Sequence, residues 1–134
     1  MLKKYLYFPL SAGVFAALVT VVYSFAYESA TAIEGKQLES LREAIPMLHL
    51  ILAPIIACFV ATAGYFTLKN YLSKSGPFLF YFFFSSVSIF TSFAIFTVYG
   101  LHEEIIYTVY GYAMPMHFFP FLSWVTFKPL FFQD

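Results

Sequence analysis

The chain is 134 residues long, enough for one domain; 61% of it is hydrophobic and only 10% is charged. An ordinary soluble domain is about 25% charged, so this composition fits lipid rather than water as the surrounding solvent. The formal net charge is zero, which gives no basic field for nucleic acid and no acidic tail.

Every Asp, Glu, Lys and Arg falls in one of five short gaps, and the stretches between them, 5–27, 44–68, 75–102 and 105–127, carry none. A spanning helix needs about 20 mostly apolar residues, because hydrocarbon offers no partner to a bare backbone N–H or C=O. The expected fold is all-α: a single polytopic membrane domain, 1–134, built as a bundle of four transmembrane helices over roughly 5–27, 44–68, 77–100 and 105–127.

The first stretch follows Lys3 and Lys4, as a secretory signal would, but it exceeds the ~7–15 apolar residues of a signal and carries Tyr23 and Tyr27. It reads as a retained span. Ala12, Ala16, Thr20 and Ser24 recur every fourth residue, with Gly13 and Ala17 beside them, and give a face that another helix can approach closely. The loop 28–43 is expected to be partly helical. After a turn at Gly35, Leu38, Leu41, Ile45 and Leu48 make one apolar stripe, which predicts a helix running into the second span and kinked at Pro46. A helix lying on the outer leaflet is the alternative.

The second span repeats the small-residue spacing at Ala53, Ala57 and Ala61, and contains Cys58, the only cysteine, which has no partner for a disulfide. Ser73, Ser75, Gly76 and Pro77 mark a turn before the third span, where Ser85, Ser88 and Ser92 form the contact row. The fourth span differs. Phe118, Phe119, Phe121 and Phe127 crowd it, so it packs through large rings or leans on another protein.

In this layout Lys3, Lys4, Lys69, Lys74 and Lys128 lie on one side, against Lys36 and Arg42 on the other, which puts both termini in the cytoplasm. Tyr5, Tyr7, Tyr65, Tyr71 and Trp124 then collect at the inner interface and Tyr23, Tyr27, Tyr99 and Tyr107 at the outer one, depths that suit rings with one wet end.

Little catalytic chemistry is available. The only aspartate is Asp134, the six glycines never cluster, and neither HExxH nor CxxC occurs. No charged side chain lies within a span, against the common proton relays and voltage sensors. Histidine remains. His117 is midway along the fourth stretch with Met114 and Met116 close by, and His49 is near the outer end of the second. Imidazole and thioether suit haem iron or Cu(I), making His49 and His117 candidate cofactor ligands and Met114, Met116 and His117 a candidate metal set. At 1.5 Å per residue, His117 would lie about 18 Å down its span and His49 about 7 Å, so they meet only if the fourth span starts near Tyr112. Each histidine hydrogen-bonding a Ser, Thr or Tyr across the bundle is the structural alternative. The sequences around them echo each other, with Pro46-Met47-Leu48-His49 and Pro115-Met116-His117. His102, Glu103 and Glu104 form a surface cluster that could hold a cation with Glu28 or Glu43, or simply be solvated.

Three functions follow as expectations. The first is a non-enzymatic structural or accessory subunit of a membrane complex or homo-oligomer, needing no cofactor, in a bacterial inner (plasma) membrane. Its partners would be the lipid bilayer and other membrane subunits, and not nucleic acid. The second is a small oligomeric transporter or channel using the serine row and the proline breaks. The third is a haem- or copper-binding protein using His49 and His117.

Overall fold

The computed structural model describes the backbone of residues 2–98 and 103–132, and their side chains apart from those of residues 2, 95–98 and 103–105. The described residues form six helices and no strand: α1 (Leu2–Thr31), α2 (Lys36–Ala44), α3 (Met47–Leu72), α4 (Gly76–Val98), α5 (Glu103–Met116) and α6 (Phe119–Phe131). Lys3–Thr31, Lys36–Leu72 and Gly76–Ala94 are long and apolar enough to cross a membrane.

Two expected continuities are broken. The stripe of loop 28–43 does not run on through a kinked Pro46. Gly35 adopts a positive φ of 58°, α2 follows, and Pro46 is extended (φ −60°, ψ 145°) before α3 begins. Leu41 of the stripe is 1% exposed, but Leu48, beyond the break, is 62% exposed. The fourth apolar stretch is likewise two helices, parted at His117 and Phe118. There the N–H groups of His117 and Phe118 reach back only three residues, to the carbonyls of Met114 (3.2 Å) and Pro115 (3.1 Å). Pro120 has no N–H to offer the Met116 carbonyl, and it sits in the first turn of α6, where a missing donor costs nothing.

The extensive contacts run from α1 to α3, α3 to α4, α4 to α5, and α6 back to α1, leaving α1 and α4 on opposite sides. Small residues set the α1–α3 approach. Ala12 and Ala16 are fully buried and Thr20 is 2% exposed. A Cβ on Gly13 would stand 2.8 Å from the Ile55 Cα, closer than real Cβ atoms come, so only glycine allows this separation.

Large rings set the other seam. Tyr27 meets Tyr112, Tyr23 meets Phe119, Phe15 meets Phe127, Phe8 meets Phe131 and Tyr5 meets Phe132, with centroids 5.3–5.8 Å apart. The residue numbers fall along α1 as they rise along α5 and α6. Together the two short helices thus run antiparallel to α1 over nearly its whole length.

Two cores result. Phe8, Ala12, Cys58, Ala61, Tyr65, Phe80 and Trp124 fill the end that holds the start of α1; Ile33, Leu41, Leu50, Val109, Tyr112, Ala113 and Met116 fill the opposite end. Trp124 and Tyr65 are therefore not interface rings, being 0% and 1% exposed. The Trp124 Nε1–H donates to Thr62 Oγ1 (2.9 Å), so the indole finds inside the bundle the polar partner it would otherwise seek at a headgroup. Tyr5, Tyr7 and Tyr71 are exposed, as interface rings would be; Tyr99 lies outside the described residues.

Candidate functional site

Between the two cores the bundle leaves a cavity of about 540 Å³. Its walls come from both sides of each helix break. Ala44 and Ile45 at the end of α2, His49, Ala53, Pro54 and Ala57 of α3, and Ala113, Met116, His117 and Pro120 of α5 and α6 face it. Leu50 of α3, Phe84, Val87, Ser88, Thr91 and Ala94 of α4 and Thr20 of α1 complete the lining. The two echoing segments, 44–54 and 113–120, thus stand around one space.

The reason lies in the backbone. Pro115 cannot donate to the carbonyl four residues before it, Gly111, and the Tyr23 hydroxyl supplies that bond at 2.8 Å. Tyr27 donates to the Thr108 carbonyl one turn earlier (3.1 Å), and a Cβ on Gly111 would come within 2.6 Å of its hydroxyl oxygen. At the break itself the His117 N–H has turned to Met114, so the Ala113 carbonyl loses its backbone donor. The His117 side chain replaces it, with Nδ1 2.8 Å from the Ala113 oxygen. Histidine therefore closes its own helix end and does not reach a Ser, Thr or Tyr across the bundle.

That contact fixes the ring's tautomer. A carbonyl oxygen has no hydrogen, so Nδ1 must carry the proton, and in the neutral ring Nε2 keeps its lone pair. The hydroxyls in the wall are committed in the same way. Thr20 donates to Ala16 (2.8 Å), Ser88 to Phe84 (3.0 Å) and Thr91 to Val87 (2.8 Å), each satisfied by its own helix.

The other candidate residues separate into groups. His49, in the first turn of α3, is exposed and borders the same cavity as His117. Met116 lines it and Met114 does not. Ala53 and Ala57 line the space where Ala61 packs in a core, so their small side chains keep it open. Ser88 and Ser92 are buried, and Ser85 is half-buried and bonds the Phe82 carbonyl (3.1 Å). Cys58 is fully buried, with Sγ 3.7 Å from the Pro120 carbonyl. Of the surface cluster, His102 and the side chains of Glu103 and Glu104 lie outside the described residues. Glu28 is engaged by Arg42 (3.1 Å) and by the Tyr112 hydroxyl (3.5 Å).

Among the described residues no three His, Cys, Asp or Glu side chains gather as a metal set. For a metal or haem the cavity offers two imidazoles and the Met116 thioether, with His117 Nε2 as the free donor atom. For an organic molecule it offers an apolar chamber with a few fixed polar points, the usual build of a small-molecule site. Compared with models of protein families, with characterised proteins and with solved structures, the chain matches none.

Proposed function

We propose that this is an integral membrane protein of four crossings, both termini cytoplasmic, whose cavity holds a small, mostly apolar molecule. In this reading it works as a subunit of a homo-oligomer or of a larger assembly in a bacterial plasma membrane. The observation that carries the proposal is the cavity of about 540 Å³ at the meeting of two helix breaks. Irregular backbone at membrane depth is tolerated where it is covered by protein or lines a cavity, and there it marks binding sites.

The test is retention of apolar probes by the protein in nanodiscs, compared with empty discs and with Ala57→Phe, which places a ring in the chamber. Binding that the substitution abolishes supports the reading. Equal uptake by filled and empty discs ends it.

Transport is the second reading, favoured by the break at His117–Phe118, by Pro54 and Pro120 in the chamber wall and by Pro115 within α5. Liposome flux that His117→Ala and Ser88→Leu leave unchanged would remove it.

A further inference from the structure

We infer that the occupant of the cavity is an uncharged apolar molecule bearing a hydroxyl, an alcohol or phenol, which donates its hydrogen to Nε2 of His117. The inference rests on the cavity being a binding chamber, and it names what that chamber selects.

Apart from His49, an exposed imidazole at the cavity's edge, the polar side chains of the wall present acceptors to it. Nδ1 of His117 is held 2.8 Å from the Ala113 carbonyl, which leaves Nε2 as a bare lone pair. The hydroxyls of Thr20, Ser88 and Thr91 each spend their single hydrogen on a backbone oxygen at 2.8–3.0 Å, so toward the cavity they too present lone pairs. A ligand carbonyl, ether or ester could pair with one of these hydroxyls only by breaking a bond the helix already makes. An O–H needs no such exchange. It meets an sp² nitrogen for which the described structure shows no other partner, in a lining that is mostly apolar.

Charge argues for the neutral donor over an ammonium. No Asp or Glu lines the chamber, and beyond its two histidines and three hydroxyls the wall is alanine, proline, leucine, isoleucine, valine, methionine and phenylalanine. A cation stripped of water there would have no counter-charge. The volume of about 540 Å³ takes a substituted ring or a short branched alcohol with its tail, within the ordinary range of small-molecule pockets.

A matched pair of probes tests this: 4-butylphenol and its methyl ether, 4-butylanisole, which differ in the donor hydrogen and one methyl group. Bound probe is measured by equilibrium dialysis of loaded nanodiscs, subtracting uptake by empty discs and referring each value to the probe's concentration in the bilayer. The expected result is a preference of about tenfold for the phenol, as one hydrogen bond supplies. The preference disappears in His117→Phe, and both probes are lost in Ala57→Phe. Because His117→Phe also removes the closure of α5, Tyr23→Phe, which unserves the Gly111 carbonyl of the same helix from outside the chamber, is run beside it and keeps the preference for the phenol. Equal binding of the two probes by the native protein, or tighter binding of the ether, overturns the donor inference and leaves the chamber standing. A preference that survives in folded His117→Phe overturns the assignment to Nε2. No binding above empty discs removes the chamber and the inference together.

Discussion

Tyr23 illustrates how a single side chain repairs a defect elsewhere. Its hydroxyl reaches the Gly111 carbonyl (2.8 Å), which Pro115 leaves without a helical donor. Tyr23→Phe keeps the ring contact with Phe119 and removes only that bond, so a part-buried carbonyl is orphaned. The expected loss is about 1–3 kcal/mol, read from reversible unfolding in mixed micelles. Restoring the backbone donor with Pro115→Ala should shrink the cost of Tyr23→Phe to less than half in a double-mutant cycle. An unchanged cost would mean that the hydroxyl acts otherwise than by serving this carbonyl. His117 belongs to the same class of residue, since its Nδ1–H closes α5 at Ala113. Part of this was written in the sequence: a proline four residues after Gly111 announces an unserved carbonyl there. Which side chain would serve it was not legible, because Tyr23 lies 88 residues away and meets it only through the fold. The tautomer of His117 was equally hidden, depending on a turn of the backbone that hydropathy does not encode.

At the scale of elements, charge placement located α1, α3 and α4, because ionised side chains cannot enter hydrocarbon cheaply and so mark where helices surface. It could not find the break in the fourth stretch. Prolines are tolerated within apolar helices when neighbours satisfy the freed groups, so Pro115 and Pro120 were compatible with a straight span as well as a broken one. The estimated depths of His49 and His117 assumed straight, continuous spans. With interruptions at Ile45–Pro46 and His117–Phe118, both histidines border one cavity. Trp124 was misplaced for a related reason, since nearness to Lys128 says nothing about which side of a helix faces inward. Two outcomes follow at this scale. Pro120→Ala gives the Met116 carbonyl a donor again, so amides 117–119 and 121 should exchange at least tenfold more slowly in hydrogen–deuterium exchange; unchanged exchange would show that the break does not depend on this proline. Gly13→Ala drives a methyl to 2.8 Å from the Ile55 Cα and must push α1 from α3. A destabilisation of about 1–3 kcal/mol is expected, and a variant as stable as the native protein would show that the seam is looser than drawn.

For the whole molecule, the question is whether two helices of 14 and 13 residues can together do the work of a fourth span. At 1.5 Å per residue they supply about 21 and 20 Å, more than the ~30 Å of hydrocarbon even after a bend. Their partners give the direction. Tyr112 packs beside Tyr27 near the end of α1, and Phe132 packs beside Tyr5 near its start. A re-entrant hairpin, dipping into the membrane and returning to the side it left, would bring the end of α6 back beside Tyr27. The ring register instead brings Phe132 to Phe66 (5.0 Å) and Lys128 over Tyr65 (4.6 Å), beside the turn between α3 and α4. Lys4, Lys69 and Lys128 thereby gather at one end, and Arg42 with Glu28 at the other, the asymmetry that the positive-inside rule reads as cytoplasmic and external. On the four-crossing topology proposed above, a fluorescent protein fused after Asp134 should fold and glow in a bacterial host, while alkaline phosphatase fused there stays inactive. A cysteine placed at Glu34, in the turn after α1, should react with an impermeant maleimide added to intact spheroplasts. Phosphatase activity at the C-terminal fusion would mean that α5 and α6 do not cross, and the lysine-rich end would then need another explanation than contact with the cytoplasm.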